Sequence, residues 1–239
     1  ILQSLKQSNL SLENGDILVI AQKVVSKAEG RYVRLADINP SEQAINLAES
    51  TGKDPRLVEL ILSESREIVR HSKRTHHSSG VVVAENYQGV VLANAGIDSS
   101  NVESKGEDEK VLLLPIDPDK SANNIKKSLQ LKTKVRLAVI INDSLGRAWR
   151  NGTTGTALGV SGIPALLDLR GRPDLFEKPL RVSEEAIADE LSSAASLLQG
   201  QADEGRPIVL IRGFNFLEFT ASDTGISKLI RPKEKDLFR

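Results

Sequence analysis

Residues Val135–Arg147 read VRLAVIINDSLGR. The run Val135–Ile141 is the strongest buried-strand signal in the chain, short, apolar and rich in β-branched residues, and it ends on Asn142, Asp143 and Ser144. Two other runs share its character: Gly15–Ala21, GDILVIA, behind a turn signal, and Ile208–Arg212 near the end. Gly80–Glu85 and Gly89–Asn94 read as paired strands with Asn86–Gln88 as their turn, and Val111–Leu114 as a short strand closed by Pro115. Helices are predicted from Asn39 to Gly52, with Asn39 as cap, Pro40 at the first position and Glu42 reaching back. A second begins at Asp54–Pro55, with Leu57, Val58, Ile61, Leu62, Ile68 and Val69 as its apolar stripe. Asp117–Pro118 opens a third, to Leu131, and Ser183 caps a fourth, to Leu198. Strands and helices mix without strict βαβ alternation, so the expected class is α+β rather than a doubly wound sheet. Gly146–Gly171 is the least regular segment and reads as an inserted functional lobe.

Composition narrows the function. The chain has 239 residues, enough for one large domain or two small ones. Its 32 basic and 32 acidic residues cancel, so no global field draws it to nucleic acid or an anionic membrane, and neither is expected as a partner. No apolar run is long enough to span a bilayer. With no cysteine, thiolate zinc sites and cysteine nucleophiles are excluded, and three histidines, His76 and His77 adjacent, argue against a histidine-rich metal site. A metal here rests on oxygen ligands, which favours Mg²⁺, Mn²⁺ or Ca²⁺. The absence of cysteine fits a reducing, cytoplasmic setting. The start at Ile1 without Met is read as a missing natural N-terminus.

Two segments carry the chemistry. VLANAGIDSSN delivers Asp98 and Asn101 from the end of a strand, and VRLAVIINDS delivers Asp143 and Ser144 in the same way. Short carboxylates at strand ends suit hard cations, and two of them can hold a divalent ion against a polyphosphate. The same residues also make ordinary Asx turns, the commoner outcome for either segment alone. Beyond the first strand lie Gln22, Lys23 and Lys27, the lysines sharing a face if this piece is helical and able to hold phosphates; a solvated basic turn is the commoner role. GRAWRNG carries Arg147, Arg150 and the sole tryptophan, Trp149; DLRGRPD carries Arg170 and Arg172. Arginine forks on glycine-bearing loops suit phosphates and carboxylates. Trp149 can stack on a flat ring, although a lone tryptophan more often packs inside. LQGQADEGRP offers Gln201, Asp203 and Glu204 between Gly200 and Gly205, which a helix C-cap and surface loop explain equally well. Neither a Walker motif nor GxGxxG is present.

In order from Gly15 to Gly213 stand GDILVIAQKVVSKAEGR, NAGIDSSNV, LLLPIDPDKSA, INDSLGRAWRNG, GIPALLDLRGRPD and EGRPIVLIRG. Together they resemble the F420 γ-glutamyl ligases, the F420-0:L-glutamate ligase family acting on a deazaflavin redox cofactor. The ending RPKEKDLFR is similar to bacterial members; some of those add a nitroreductase-like domain, for which this chain is too short. The resemblance implies one ligase domain over 1–239, with the family's two-lobed α+β fold, distinct from Rossmann and P-loop folds, in an intertwined homodimer. It implies a reaction: GTP phosphorylates the acceptor's terminal carboxylate, and the amine of L-glutamate displaces phosphate, building a γ-linked tail. Carried over by position, Asp98 and Asp143 are the catalytic metal ligands, joined by Ser144 and Gln201, for two divalent ions, Mg²⁺ or Mn²⁺, with K⁺ as a candidate further ion. Gln22, Lys23, Lys27 and Asn101 fall on the nucleotide, as does the loop with Gly200, Ala202, Asp203, Glu204 and Gly205. Arg147, Arg150, Arg170 and Arg172 are expected on anionic parts of GTP or the deazaflavin. Three departures stand out: a Gly-Pro loop before the first strand is absent, Ser144 replaces a common Thr, and Gln201 replaces a common carboxylate. From the residues themselves, an amide ligase for another carboxylate, a non-catalytic nucleotide or deazaflavin binder, and a metal-dependent phosphohydrolase stay open.

Overall fold

The computed structural model describes residues 1–75, 79–102, 109–216 and 225–237. His76 and His77 lie outside the described residues. In chain order the elements are α1 (Leu2–Gln7), β1 (Asp16–Ala21), α2 (Gln22–Ala28), β2 (Tyr32–Arg34), α3 (Glu42–Thr51) and α4 (Pro55–Ser63). There follow β3 (Ser65–His71), β4 (Val82–Asn86), β5 (Val91–Ala93), β6 (Lys110–Leu112) and α5 (Pro118–Thr133). The chain continues with β7 (Leu137–Arg147), β8 (Arg150–Ser161), β9 (Leu167–Asp168), β10 (Glu184–Glu185), α6 (Ile187–Gln199) and β11 (Ile208–Ile211). The class is mixed α and β with several separate sheets, and no described sheet closes into a barrel.

The chain divides into two compact units. One comprises Ile1–Gln22, Asp117–Ser144 and Thr153–Arg231. Its sheet has the order β11-β1-β7-β8. β1 runs parallel to β7, from Asp16 opposite Leu137 to Ala21 opposite Asn142, and antiparallel to β11. Ile17–Ile20 and Leu137–Ile141 are buried without alternation, as expected of central strands covered on both faces. Asp16, fully buried at the start of β1, takes two bonds from the Arg212 guanidinium at 2.8 Å each and one from the Glu13 N–H at 2.7 Å. Burial pushes the Asp16 carboxyl up, but the Arg212 fork and the Glu13 N–H outweigh burial and hold it below its ordinary value.

β8 overturns the expectation that Gly146–Gly171 is irregular: twelve of its residues form one strand. Its glycines look like strand breakers, but they permit close backbone packing. A Cβ at Gly155 would stand 2.3 Å from the Ser192 carbonyl oxygen on α6, and one at Gly159 2.3 Å from the Pro118 carbonyl carbon on α5. β7 likewise runs on through Asp143 and Ser144 to Arg147, so these residues sit in a strand, not in the turn expected after Ile141. Ser183 does not cap α6: it precedes β10, and the helix starts at Ile187 behind Ala186, which makes no side-chain cap bond.

The other unit comprises Lys23–Ile116, Leu145–Gly152 and Pro232–Arg239. It holds the antiparallel sheet β3-β4-β5 and the pair β2-β6. Leu35, Leu60, Ile61, Val82, Ala84, Ala95, Ile97, Val111 and Leu113 form its main core. α3 begins at Glu42, not near Asn39, because Ser41 is anchored there: its N–H and hydroxyl donate to Glu59 on α4, and its Oγ accepts from Ala44 N. α4 starts at Pro55, capped by Asp54, and ends at Ser63. Ile68 and Val69 therefore belong to β3, not to the helical stripe.

Candidate functional site

In the second unit the decisive segment is Asn94–Asn101. Leu92 on β5 is buried, and the chain then turns through Asn94, Ala95 and Gly96, all at positive φ. Gly96 is required twice over, by its φ of 79° and because a Cβ there would stand 2.5 Å from the Leu114 side chain. Asp98 emerges from this turn and is pinned by its own backbone: its N–H donates to Leu112 O at 3.1 Å, and its carbonyl accepts from Leu112 N at 2.8 Å. Its carboxylate Oδ1 accepts from Ser100 N at 2.6 Å, an Asx turn. Oδ2 faces the Lys23 ammonium at 2.7 Å, and Lys23 also donates to Ser100 Oγ at 2.7 Å. One helical turn on, the Lys27 ammonium donates to Asn101 O at 2.7 Å. The segment after β1 is thus helix α2, not a solvated basic turn, and both lysines meet residues some seventy-five positions away. Burial pushes the Asp98 carboxyl up; the Lys23 ammonium and the Ser100 N–H outweigh it and hold the group below its ordinary value.

In the first unit the parallel register ends with Ala21 opposite Asn142. One residue further along, Gln22 opens α2 beyond the carboxyl end of β1, and Asp143 lies within β7 just past the last residue paired with β1. Gln22 is 1% exposed, and Asp143 Oδ1 accepts from Ser144 N at 2.8 Å. Sequence reasoning passed over the residue that fixes this end. The buried Asn142 side chain forms a reciprocal amide pair with Gln199, at 2.9 Å and 3.1 Å. A polar side chain closing an apolar strand was the available signal. Gln199 ends α6 and leads into the loop with Gly200, Gln201, Ala202, Asp203, Glu204 and Gly205. Gln201 to Gly205 are exposed there, and Glu204 folds back so that its carboxylate accepts from Ala202 N at 2.8 Å. Asp189, also passed over, is lifted by burial above its ordinary value despite accepting from Ala157 N at 2.9 Å.

The arginines divide into two kinds. Arg170 is engaged within its own hairpin, forking onto Asp168 at 2.8 Å and 2.6 Å with Glu184 at 3.3 Å, and its hydrogen bonds lower the exposed Asp168 carboxyl to about 2. Arg172 is exposed beside it. Arg147 and Arg150 stand at the tip of the β7–β8 hairpin, Arg147 donating to Gly152 O at 3.2 Å. Trp149, between them, is not packed inside: it is 85% exposed, at a φ of 65°.

Among the described residues no three His, Asp or Glu side chains gather into a metal cluster. Mg²⁺ does not require one, since it is usually held by one or two carboxylates, waters and substrate phosphates. Asp98 suits that habit as a single carboxylate whose Lys23 partner also meets the Ser100 hydroxyl, and Asp143 as a single carboxylate next to Ser144 in the chain. Among the described residues no helix is long and apolar enough to cross a membrane.

Residues 1–213 match the family model described as F420-0:Gamma-glutamyl ligase. A protein of Methanothermobacter thermautotrophicus named Coenzyme F420:L-glutamate ligase is 47% identical over 239 residues, covering 100% of this chain and 90% of its own length. Proteins of the same name from Methanocaldococcus jannaschii and Archaeoglobus fulgidus are 46% and 38% identical, covering 95% and 100% of this chain and 86% and 90% of their own lengths. With the match running through both units and through Lys23, Asp98 and Asp143, the chain belongs to the F420-0:gamma-glutamyl ligase family.

Proposed function

We propose that this protein adds L-glutamate through γ-linkages to the deazaflavin precursor of coenzyme F420, using GTP and releasing GDP and phosphate. The observation that carries this reading is the Lys23, Lys27, Asp98, Ser100 constellation, two ammonium groups against a carboxylate turn, in a chain that shares 47% of its residues with a named F420:L-glutamate ligase. In the first step an acceptor carboxylate oxygen attacks the γ-phosphorus of GTP, the bond to the β–γ bridging oxygen breaks, and GDP leaves with that electron pair. In the second the glutamate amine attacks the acyl carbon, phosphate departs, and the amine proton passes to solvent.

The chain's own residues bind and orient. Lys23 and Lys27 present ammonium groups to the phosphates, and the Ser100 and Ser144 N–H groups aim the two carboxylates. Asp98, and separately Asp143, Ser144 and the Gln201 side chain, would serve as ligands to Mg²⁺ or Mn²⁺, which when bound would neutralise charge on the transferring phosphoryl group. The family resemblance supports GTP as the nucleotide and Gly200–Gly205 as its wrap. Arg147, Arg150 and Arg172 meet the anionic parts of the substrates, and Trp149 offers its exposed face to the flat deazaflavin. A cytoplasmic setting belongs to the same reading.

A homodimer belongs to the same reading. The hairpin between β9 and β10 holds itself together by backbone bonds such as Leu180 N to Arg172 O at 2.8 Å, yet Leu175 is 98% and Phe176 81% exposed near its end. Side chains of that size are favoured in contact with a second surface. The enzymatic test is GDP formation followed with each component omitted in turn. Sustained GDP formation should require the deazaflavin, L-glutamate and a divalent ion together, and without glutamate it should stop at no more than about one GDP per enzyme; continuous GTP turnover with neither acceptor nor glutamate would favour a phosphohydrolase instead.

A further inference from the structure

We propose that Lys23 is a tethered counter-cation of Asp98, which a divalent ion must displace before it can bind, and whose release favours the arrival of phosphate. This rests on the reading of Asp98 as a metal ligand. The two oxygens of Asp98 are both engaged within the second unit: Oδ1 by Ser100 N at 2.6 Å and Oδ2 by Lys23 Nζ at 2.7 Å. Mg²⁺ binds a carboxylate oxygen at about 2.0–2.1 Å. A divalent ion on Oδ2 and an ammonium still 2.7 Å from that oxygen would face each other as like charges at close range.

The geometry decides which partner gives way. Asp98 cannot retreat, because its backbone is paired in both directions with Leu112. Lys23 can, because its ammonium rides on a flexible four-carbon stem and its side chain is only partly buried, at 26% exposure. Its remaining partner, the Ser100 hydroxyl, is neutral and cannot replace the lost charge. The displaced ammonium is therefore left needing an anion, and a phosphate oxygen supplies one. The consequence is a coupling of binding: without nucleotide the lysine competes with the ion, and with nucleotide it no longer does. By reciprocity the ion strengthens nucleotide binding by the same factor.

The test is Mn²⁺ binding to the full chain without nucleotide, read from the electron paramagnetic resonance signal of free Mn²⁺, for the wild type, Lys23→Met, Lys23→Arg and Asp98→Asn. Lys23→Met should bind Mn²⁺ roughly tenfold more tightly than wild type, the size of effect a neighbouring unit charge has on a carboxylate. Lys23→Arg keeps the charge and should stay near wild type, and Lys23→Met/Asp98→Asn should lose the gain. Lys23→Gln repeats the comparison, with thermal melting to confirm that each variant is folded. Equal or weaker Mn²⁺ binding by folded Lys23→Met and Lys23→Gln would overturn the proposal while leaving the ligase reading intact. If Asp98→Asn alone binds Mn²⁺ as the wild type does, Asp98 is no metal ligand and both that assignment and this proposal fall.

Discussion

Asp98 and Asp143 carry the proposed chemistry as single side chains, and each is aimed by an N–H within two residues, Ser100 for one and Ser144 for the other. Asn has nearly the shape of Asp but not its charge, so Asp98→Asn and Asp143→Asn should keep the fold. Each should lower kcat by about a hundredfold or more, the range found when a group stabilising transition-state charge is removed. Steady-state GDP release, with circular dichroism as the folding control, checks this; wild-type rates in both variants would show that neither carboxylate serves the reaction. At this scale the sequence showed which residue types were present but not whom they meet. That Asp98 leaves a turn full of small residues was legible in NAGIDSSN. That Lys23, seventy-five positions earlier, would place its ammonium 2.7 Å from Asp98 was not, because nothing local records so distant a pairing.

The elements show the same division. β1 and β7 were legible because they are central, apolar and buried without alternation, and β11, at the edge of the same sheet, because all four of its residues are apolar. β8 was not, because its glycines answer to neighbours rather than to its own backbone: the Pro118 backbone lies against Gly159 and that of Ser192 against Gly155. β3 was hidden for another reason, since Ile68 and Val69 continue the apolar count of α4 although the helix ends at Ser63. The glycine account has a direct consequence. Gly159→Ala places a methyl 2.3 Å from backbone that cannot rotate away, and should destabilise the protein by about 1–3 kcal/mol, the usual range for overpacking. Gly146→Ala, where nothing lies within 4 Å and φ is not positive, should stay within about 0.5 kcal/mol of wild type. Urea unfolding of the two variants compares them; equal stabilities would mean that β8 is not held this closely.

For the whole molecule, class and family were both readable from the sequence, the family through six ordered segments and the class through the irregular alternation of strands and helices. Association is the property that one chain's residues express least directly. The exposed pair Leu175 and Phe176 gives it a handle: Leu175→Ser/Phe176→Ser should lower the fraction of dimer in light scattering behind size exclusion, with the folded content unchanged. A wild type that runs as a monomer at all concentrations would remove the homodimer from the reading. The central claim, that glutamate is joined to the deazaflavin acceptor through an acyl phosphate made from GTP, is tested most directly by labelling the acceptor's carboxylate with ¹⁸O and analysing both products by mass spectrometry. The account predicts an acceptor heavier by one glutamate residue and one labelled oxygen in the phosphate released with each GDP. An acceptor that gains no glutamate, or phosphate released without the label, would contradict it.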